Sequence, residues 1–154
     1  MELLLWRHAE AADTAPDIQR ELTAKGRQQA EIMAKWLKPR LAKGSLILAS
    51  PATRTQQTAE ALRMDFITRR DIGPEADAKA ILKAAGWPDA DGTVVIVGHQ
   101  PSLGEAASLA LTGKAQYLSV KKGSVWWISS RISEGVTQAS LRAVIPPNLI
   151  KDPK

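Results

Sequence analysis

The chain has 154 residues, 44% of them hydrophobic and 24% charged, which predicts a single domain and excludes a disordered or fibrous protein. It contains no cysteine, so disulfides, thiolate metal sites and a cysteine nucleophile are excluded, and a reducing compartment suits it. The 21 basic and 16 acidic residues leave a net charge of +5, yet basic runs stop at pairs (Arg69-Arg70, Lys121-Lys122) and the aromatic residues do not interleave with them, so no nucleic-acid groove is expected.

Leu3–Trp6 opens the chain as a buried strand, too short for a signal peptide or a membrane span, and a soluble, cytoplasmic protein is expected. A helical stripe follows at Ala30, Met33, Ala34, Leu37 and Leu41, with Thr23 as its predicted N-cap. Leu46–Ala49 predicts a second strand and residues 51–63 a helix, with Ser50 capping and Pro51 in the first helical position. Phe66–Thr68 predicts a short strand, and Ala76–Ala85 a helix closed by Gly86. After a turn at Asp89–Gly92, Val94–Val97 predicts a fully apolar strand, and Pro101–Leu111 a helix ending at Gly113. The pattern then changes to strands at Val125–Ser130 and Ala139–Ile145, joined by a turn at Ser133–Gly135. Pro146-Pro147 ends regular structure, leaving residues 1–149 as the domain and 150–154 as a tail. Apolar strands separated by helices imply a three-layer α/β/α domain, its sheet mainly parallel with antiparallel strands added late.

The chain has only two histidines, and each follows an apolar strand: His8 after Leu3–Trp6 and Arg7, and His99 after Val94–Val97 and Gly98. Ligands of open α/β sheets bind beyond the carboxyl ends of the strands, so both imidazoles would share one crevice if these strands are neighbours. The second strand ends beside Ser50, with Arg54 in the first turn of the next helix. Two helix N-termini and the planar cations of Arg7 and Arg54 would then converge as a phosphate pocket. One neutral imidazole could take up a phosphoryl group covalently while the other stabilises its equatorial oxygens. Two histidines without a nearby carboxylate or thiolate make a poor metal site, so neither a metal nor a cofactor is expected. No P-loop, dinucleotide turn or serine elbow is present.

These residues resemble the histidine phosphatase superfamily, to which cofactor-dependent phosphoglycerate mutase also belongs. Arg7-His8-Ala9-Glu10-Ala11 is similar to its first signature, Ser50–Ala59 to its second and Val97–Pro101 to its third. Arg20 before Leu22–Gly26, the Lys121–Ser124 segment and the Pro147-Asn148-Leu149 ending are similar to the SixA-type phosphohistidine phosphatase branch. The resemblance implies a phosphoglycerate mutase-like fold and a metal-independent phosphatase with His8 as nucleophile. It implies that Arg7, Arg54 and His99 hold the phosphoryl group, with Arg20 as a further phosphate-side arginine. Thr23 and Ser50 fit motif positions, but capping accounts for both.

Larger members of the family carry an acidic residue in an inserted lid after the third strand. Residues 70–77 leave no room for one, so Asp71, Glu75, Asp77 or solvent would protonate the leaving group. An open pocket suits phosphohistidine presented on a protein. A small phosphomonoester and a non-catalytic phosphate-binding adaptor are the alternatives. Nucleic acid and membrane are not expected partners, and the oligomeric state is not legible. Trp6 and Trp36 are expected in the core, and Trp126 and Trp127 on opposite faces of one strand.

Overall fold

The computed structural model describes residues 1–151. Its six strands are β1 (Glu2–Arg7), β2 (Leu46–Ala49), β3 (Ile67–Thr68), β4 (Thr93–Gly98), β5 (Val125–Ser133) and β6 (Val136–Ile145). They form one sheet in the order β3-β2-β4-β1-β5-β6. The first four are parallel to one another, while β5 runs antiparallel to β1, and β6 to β5. β1 and β4, the strands that precede the two histidines, are direct neighbours with Arg7 opposite Gly98.

The helices are α1 (Ala24–Leu37), α2 (Thr53–Glu60), α3 (Ala78–Ala85) and α4 (Ser102–Thr112). Side chains alternate across β1, so its two faces build two separate cores. Leu4 and Trp6 pack with Met33 and Leu37 of α1 and Ala59 of α2. Leu3 and Leu5 pack with Ile81 of α3 and with Leu103 and Ala106 of α4. Helices thus cover both faces of a mainly parallel sheet, the three-layer α/β/α arrangement that the sequence predicts. Trp6 is fully buried, and its indole N–H donates to the Gly123 carbonyl at 3.1 Å. Trp126 joins the first of these cores to be reached from α3 and α4, and Trp127 the one beneath α1 and α2.

Several element ends differ from the sequence expectation. α2 starts at Thr53 with Ala52 as its N-cap, not at Pro51 behind a Ser50 cap, because the Ser50 hydroxyl is turned toward a histidine. α3 starts at Ala78, where the Asp77 carboxylate accepts from the Ala80 N–H at 2.8 Å. Pro101 is the N-cap of α4 rather than its first residue. Phe66 lies outside β3 and packs on the core under α1 and α2. β5 and β6 extend to Ser133 and from Val136, because Glu134 and Gly135 both adopt positive φ and close a tight two-residue hairpin. Leu41 lies beyond α1 but still packs against its core. Of the expected tail, residues 152–154 lie outside the described residues, and Ile150 packs on the core shared by Trp6 and Leu37.

Two glycines let backbones meet where side chains could not. A Cβ on Gly26 would overlap the Glu10 carbonyl, and one on Gly104 the Leu118 carbonyl. The first contact presses α1 onto the segment after β1, and the second presses α4 onto the loop that leads into β5.

Candidate active site

The crevice lies beyond the carboxyl ends of β1, β2 and β4. Because β1 and β4 are paired and end in register, His8 and His99 leave the sheet side by side, their ring centroids 5.4 Å apart. Both are almost fully buried, at 6% and 3% exposure. Burial pushes His8 down from the ordinary histidine value to about 4, helped by the charges of Arg54, Arg7 and Arg20. Burial, then neighbouring His8 and Arg54, pushes His99 down to about 3. Both rings are therefore neutral at pH 7.

Hydrogen bonding assigns the His8 tautomer. Nδ1 lies 2.8 Å from the Ala9 carbonyl oxygen, which can only accept, so Nδ1 carries the proton and Nε2 keeps its lone pair. At His99 it is Nε2 that is engaged, 2.7 Å from the Ser50 hydroxyl. Ser50 Oγ also accepts from the Ala52 N–H at 3.3 Å, leaving its own proton free for His99 Nε2. With Ser50 as the donor in this contact, the ring proton of His99 lies on Nδ1, which is buried without a partner among the described residues.

Arg54, in the first turn of α2, is 5% exposed. Its Nη1 donates to the Asp17 carbonyl at 2.8 Å and its Nη2 to the Asp17 carboxylate at 3.2 Å. Arg20 donates from Nε to the Ala12 carbonyl at 2.8 Å and from Nη1 to the other Asp17 carboxylate oxygen at 3.3 Å. Asp17 therefore bridges two guanidinium groups. Partial desolvation pushes its carboxyl up, but the Arg20 hydrogen bond and the Arg54 charge outweigh this and hold it below the usual carboxylate range. Arg7 is pinned by a 2.9 Å bond from Nη1 to the Val120 carbonyl. Arg7 Nε and Arg54 Nε are buried and lack partners among the described residues.

Leaving a buried donor unpaired costs about 1–3 kcal/mol. Here three such donors, on Arg7, Arg54 and His99, belong to side chains whose charges or rings lie close to the neutral His8. The N-cap residues of α2 and α4, Ala52 and Pro101, offer no side-chain cap, and in α4 Gln100 Oε1 accepts from the Gly104 N–H at 2.7 Å instead; the positive ends of both helix dipoles add to the field. That arrangement suits a tetrahedral oxyanion held against His8 Nε2. Among the described residues no three His, Asp or Glu side chains converge as a metal site.

The structure brings together the residues expected to hold the phosphoryl group: His8, Arg7, Arg54 and His99 at the centre, and Arg20 within electrostatic reach of His8. The candidate acids fare differently. Asp71 is bound by Arg69, whose hydrogen bond and charge lower its carboxyl, and Asp77 caps α3. Glu75 is exposed and lines a cavity of about 530 Å³ together with Asp17 and Arg70.

Sequence reasoning missed Asp17 altogether, and it set Ser50 aside as a cap. It also passed over Gln57 and Thr58, which brace the segment after β1. Thr58 Oγ1 accepts from the Ala9 N–H at 3.1 Å, and Gln57 Oε1 accepts from the Leu22 N–H at 2.7 Å. The spacing from Arg54 to Thr58 is one helical turn and puts both on one face of α2, the signal that could have found Thr58.

Residues 3–72 match the model of the histidine phosphatase superfamily, branch 1. An uncharacterized protein of Picosynechococcus sp. is 34% identical over 141 residues, covering 81% of this chain and 82% of that one. The phosphohistidine phosphatase SixA of Escherichia coli is 29% identical over 114 residues, covering 68% of this chain and 70% of that protein. Among solved structures, that of the putative phosphohistidine phosphatase SixA from Agrobacterium tumefaciens superposes with a TM-score of 0.77 at 26% identity over 95% of this chain and 97% of that one.

Proposed function

We propose, from the premise that the chain belongs to the histidine phosphatase superfamily, that this phosphatase hydrolyses phosphohistidine on a protein through a covalent phospho-His8 intermediate. One observation carries the reading: three buried donors, His99 Nδ1, Arg7 Nε and Arg54 Nε, have no partner among the described residues, beside a neutral His8 whose Nε2 lone pair is free.

In the proposed first step, His8 Nε2 attacks phosphorus and the bond from phosphorus to the substrate imidazole nitrogen breaks. Arg7, Arg54, Arg20 and His99 take up the charge on the equatorial oxygens, the main protein contribution to a loose phosphoryl transfer. The departing imidazole takes a proton from Glu75 or solvent. Water then attacks the phospho-His8 phosphorus, giving up a proton to the group that protonated the imidazole (Glu75 or solvent), the P–Nε2 bond breaks, and inorganic phosphate leaves with His8 restored. Only nine residues separate β3 from α3, too few for an inserted lid at that point, which favours a substrate side chain carried on a protein surface.

The test is phosphate release from a phosphohistidine protein and from an aryl phosphate, both in EDTA, with wild type and His8→Ala. The expected result is EDTA-resistant release from the phosphohistidine protein, lost in His8→Ala, with a base-stable, acid-labile phosphate trapped on wild type. Release from the aryl phosphate alone moves the substrate to a small phosphoester. Oxyanion binding without release from either leaves a phosphate-binding adaptor.

A further inference from the structure

A groove of about 700 Å³ opens from the phosphoryl site at Arg7. One wall is the α1 face bearing Lys25, Gln28 and Ile32, and the other is the Lys121-Lys122 pair. Pro146 and Pro147 contribute apolar surface, and Asn148 lies at the rim. Three lysines and Arg7 line it, and no acidic side chain does. The three lysine side chains are exposed and make no hydrogen bond or ion pair among the described residues. The other cavity beside the site has mixed charge, with Asp17 and Glu75 facing Arg70. A third, between Trp36 and Trp127, lies at the opposite end of the sheet.

A uniformly positive groove that starts at a phosphate-binding arginine has room and charge for something larger than a phosphoryl group. We propose that it docks an acidic segment of the phosphoprotein substrate, next to the phosphorylated histidine. The assignment rests on the function proposed above. Carboxylates of the segment pair with Lys25, Lys121 and Lys122, amide groups of Gln28 and Asn148 meet its backbone, and Ile32 and the two prolines take its apolar side chains. The lysines sit outside the reacting centre, so their contribution is to encounter and affinity rather than to the chemical step.

Two synthetic phosphohistidine peptides test this, one flanked by glutamates and one by serines, with an aryl phosphate as control. Wild type is expected to favour the glutamate peptide roughly tenfold through KM, the scale of two or three exposed ion pairs, and to lose that preference in high salt. A Lys121→Glu, Lys122→Glu double variant is expected to abolish the preference while leaving kcat/KM for the aryl phosphate unchanged. Equal turnover of the two peptides by wild type, or equal loss on all three substrates in the variant, overturns the proposal. Should neither peptide be hydrolysed, the reading of function fails while the groove is still tested, by titrating an unphosphorylated glutamate peptide into labelled protein. Chemical-shift changes at Lys25, Lys121 and Asn148 then uphold the docking site, and their absence, or displacement of the peptide by a nucleotide at equal concentration, overturns it.

Discussion

His8 and His99 are both neutral at pH 7 for the same physical reason, burial among cations, and that has a cost on acidification. An unfolded histidine takes up a proton near pH 6.5, whereas His8 in the folded chain waits until about pH 4 and His99 until about pH 3. Between those limits the unfolded chain binds more protons, so stability is fully present above about pH 6.5 and is lost as pH falls through about 4 for His8 and about 3 for His99. With two histidines in the chain, NMR can follow both imidazoles without ambiguity. Neither is expected to titrate between pH 5 and 8 in the free protein. Inorganic phosphate should raise both midpoints by placing negative charge against the rings; a midpoint near 6.5 without phosphate would refute the neutral-site account. Ser50 offers a second check at this scale. Ser50→Ala removes the partner of His99 Nε2 and frees the ring to adopt the wrong tautomer, so kcat should fall roughly 10–100-fold, as when the partner that orients a functional histidine is lost. An unchanged kcat would make Ser50 a cap after all. The paired histidines, Arg7 and Arg54 are legible in sequence because strand ends and helix starts fix their direction. Asp17 and the Ser50 contact are not, because they join loops whose paths no periodicity reveals.

The elements show where packing overrides local preference. Gly26 sits in the first turn of α1, where helix propensity alone predicts that alanine would stabilise by about 1 kcal/mol. Its Cβ would instead overlap the Glu10 carbonyl, against which Thr23 N–H also donates at 3.0 Å. Gly26→Ala is therefore expected to destabilise by about 1–3 kcal/mol, the scale of overpacking, and to disturb the segment that carries His8. Urea unfolding decides the sign; a stabilised variant would mean that α1 shifts freely and that the close approach is unimportant. The interiors of β1, β2 and β4 are legible because they are continuous apolar runs of a sheet buried on both faces. Their neighbours at the ends are not, since Glu2, Arg7 and Thr93 belong to strands through backbone pairing alone. The starts of α2 and α3 move by two residues for a similar reason: Ser50 and Asp77 are both capping types, and only tertiary contacts decide that one caps while the other turns to His99.

At the scale of the whole molecule, the site stores instability that a ligand can release. Arg7, Arg20 and Arg54 gather around buried neutral imidazoles with Asp17 as the counter-charge in contact with two of them, and three buried donors go unpaired. A bound oxyanion answers both deficits in the folded state and neither in the unfolded one, so it must raise global stability. At one hundred times its dissociation constant a ligand adds about 2.7 kcal/mol, which for a domain of about 150 residues corresponds to a Tm rise of roughly 5–10 °C. Inorganic phosphate or vanadate is expected to give that shift with wild type. Arg54→Met should lose most of it, because the remaining donors no longer surround the anion. Asp17→Asn should enlarge it at equal ligand concentration, since the negative charge facing the anion is gone while an amide oxygen can still accept from one arginine. Thermal unfolding of the three proteins across a phosphate series separates the cases: a shift that survives Arg54→Met unchanged would place the anion elsewhere, and a smaller shift in Asp17→Asn would make Asp17 a brace for the arginines rather than a competitor of the phosphate.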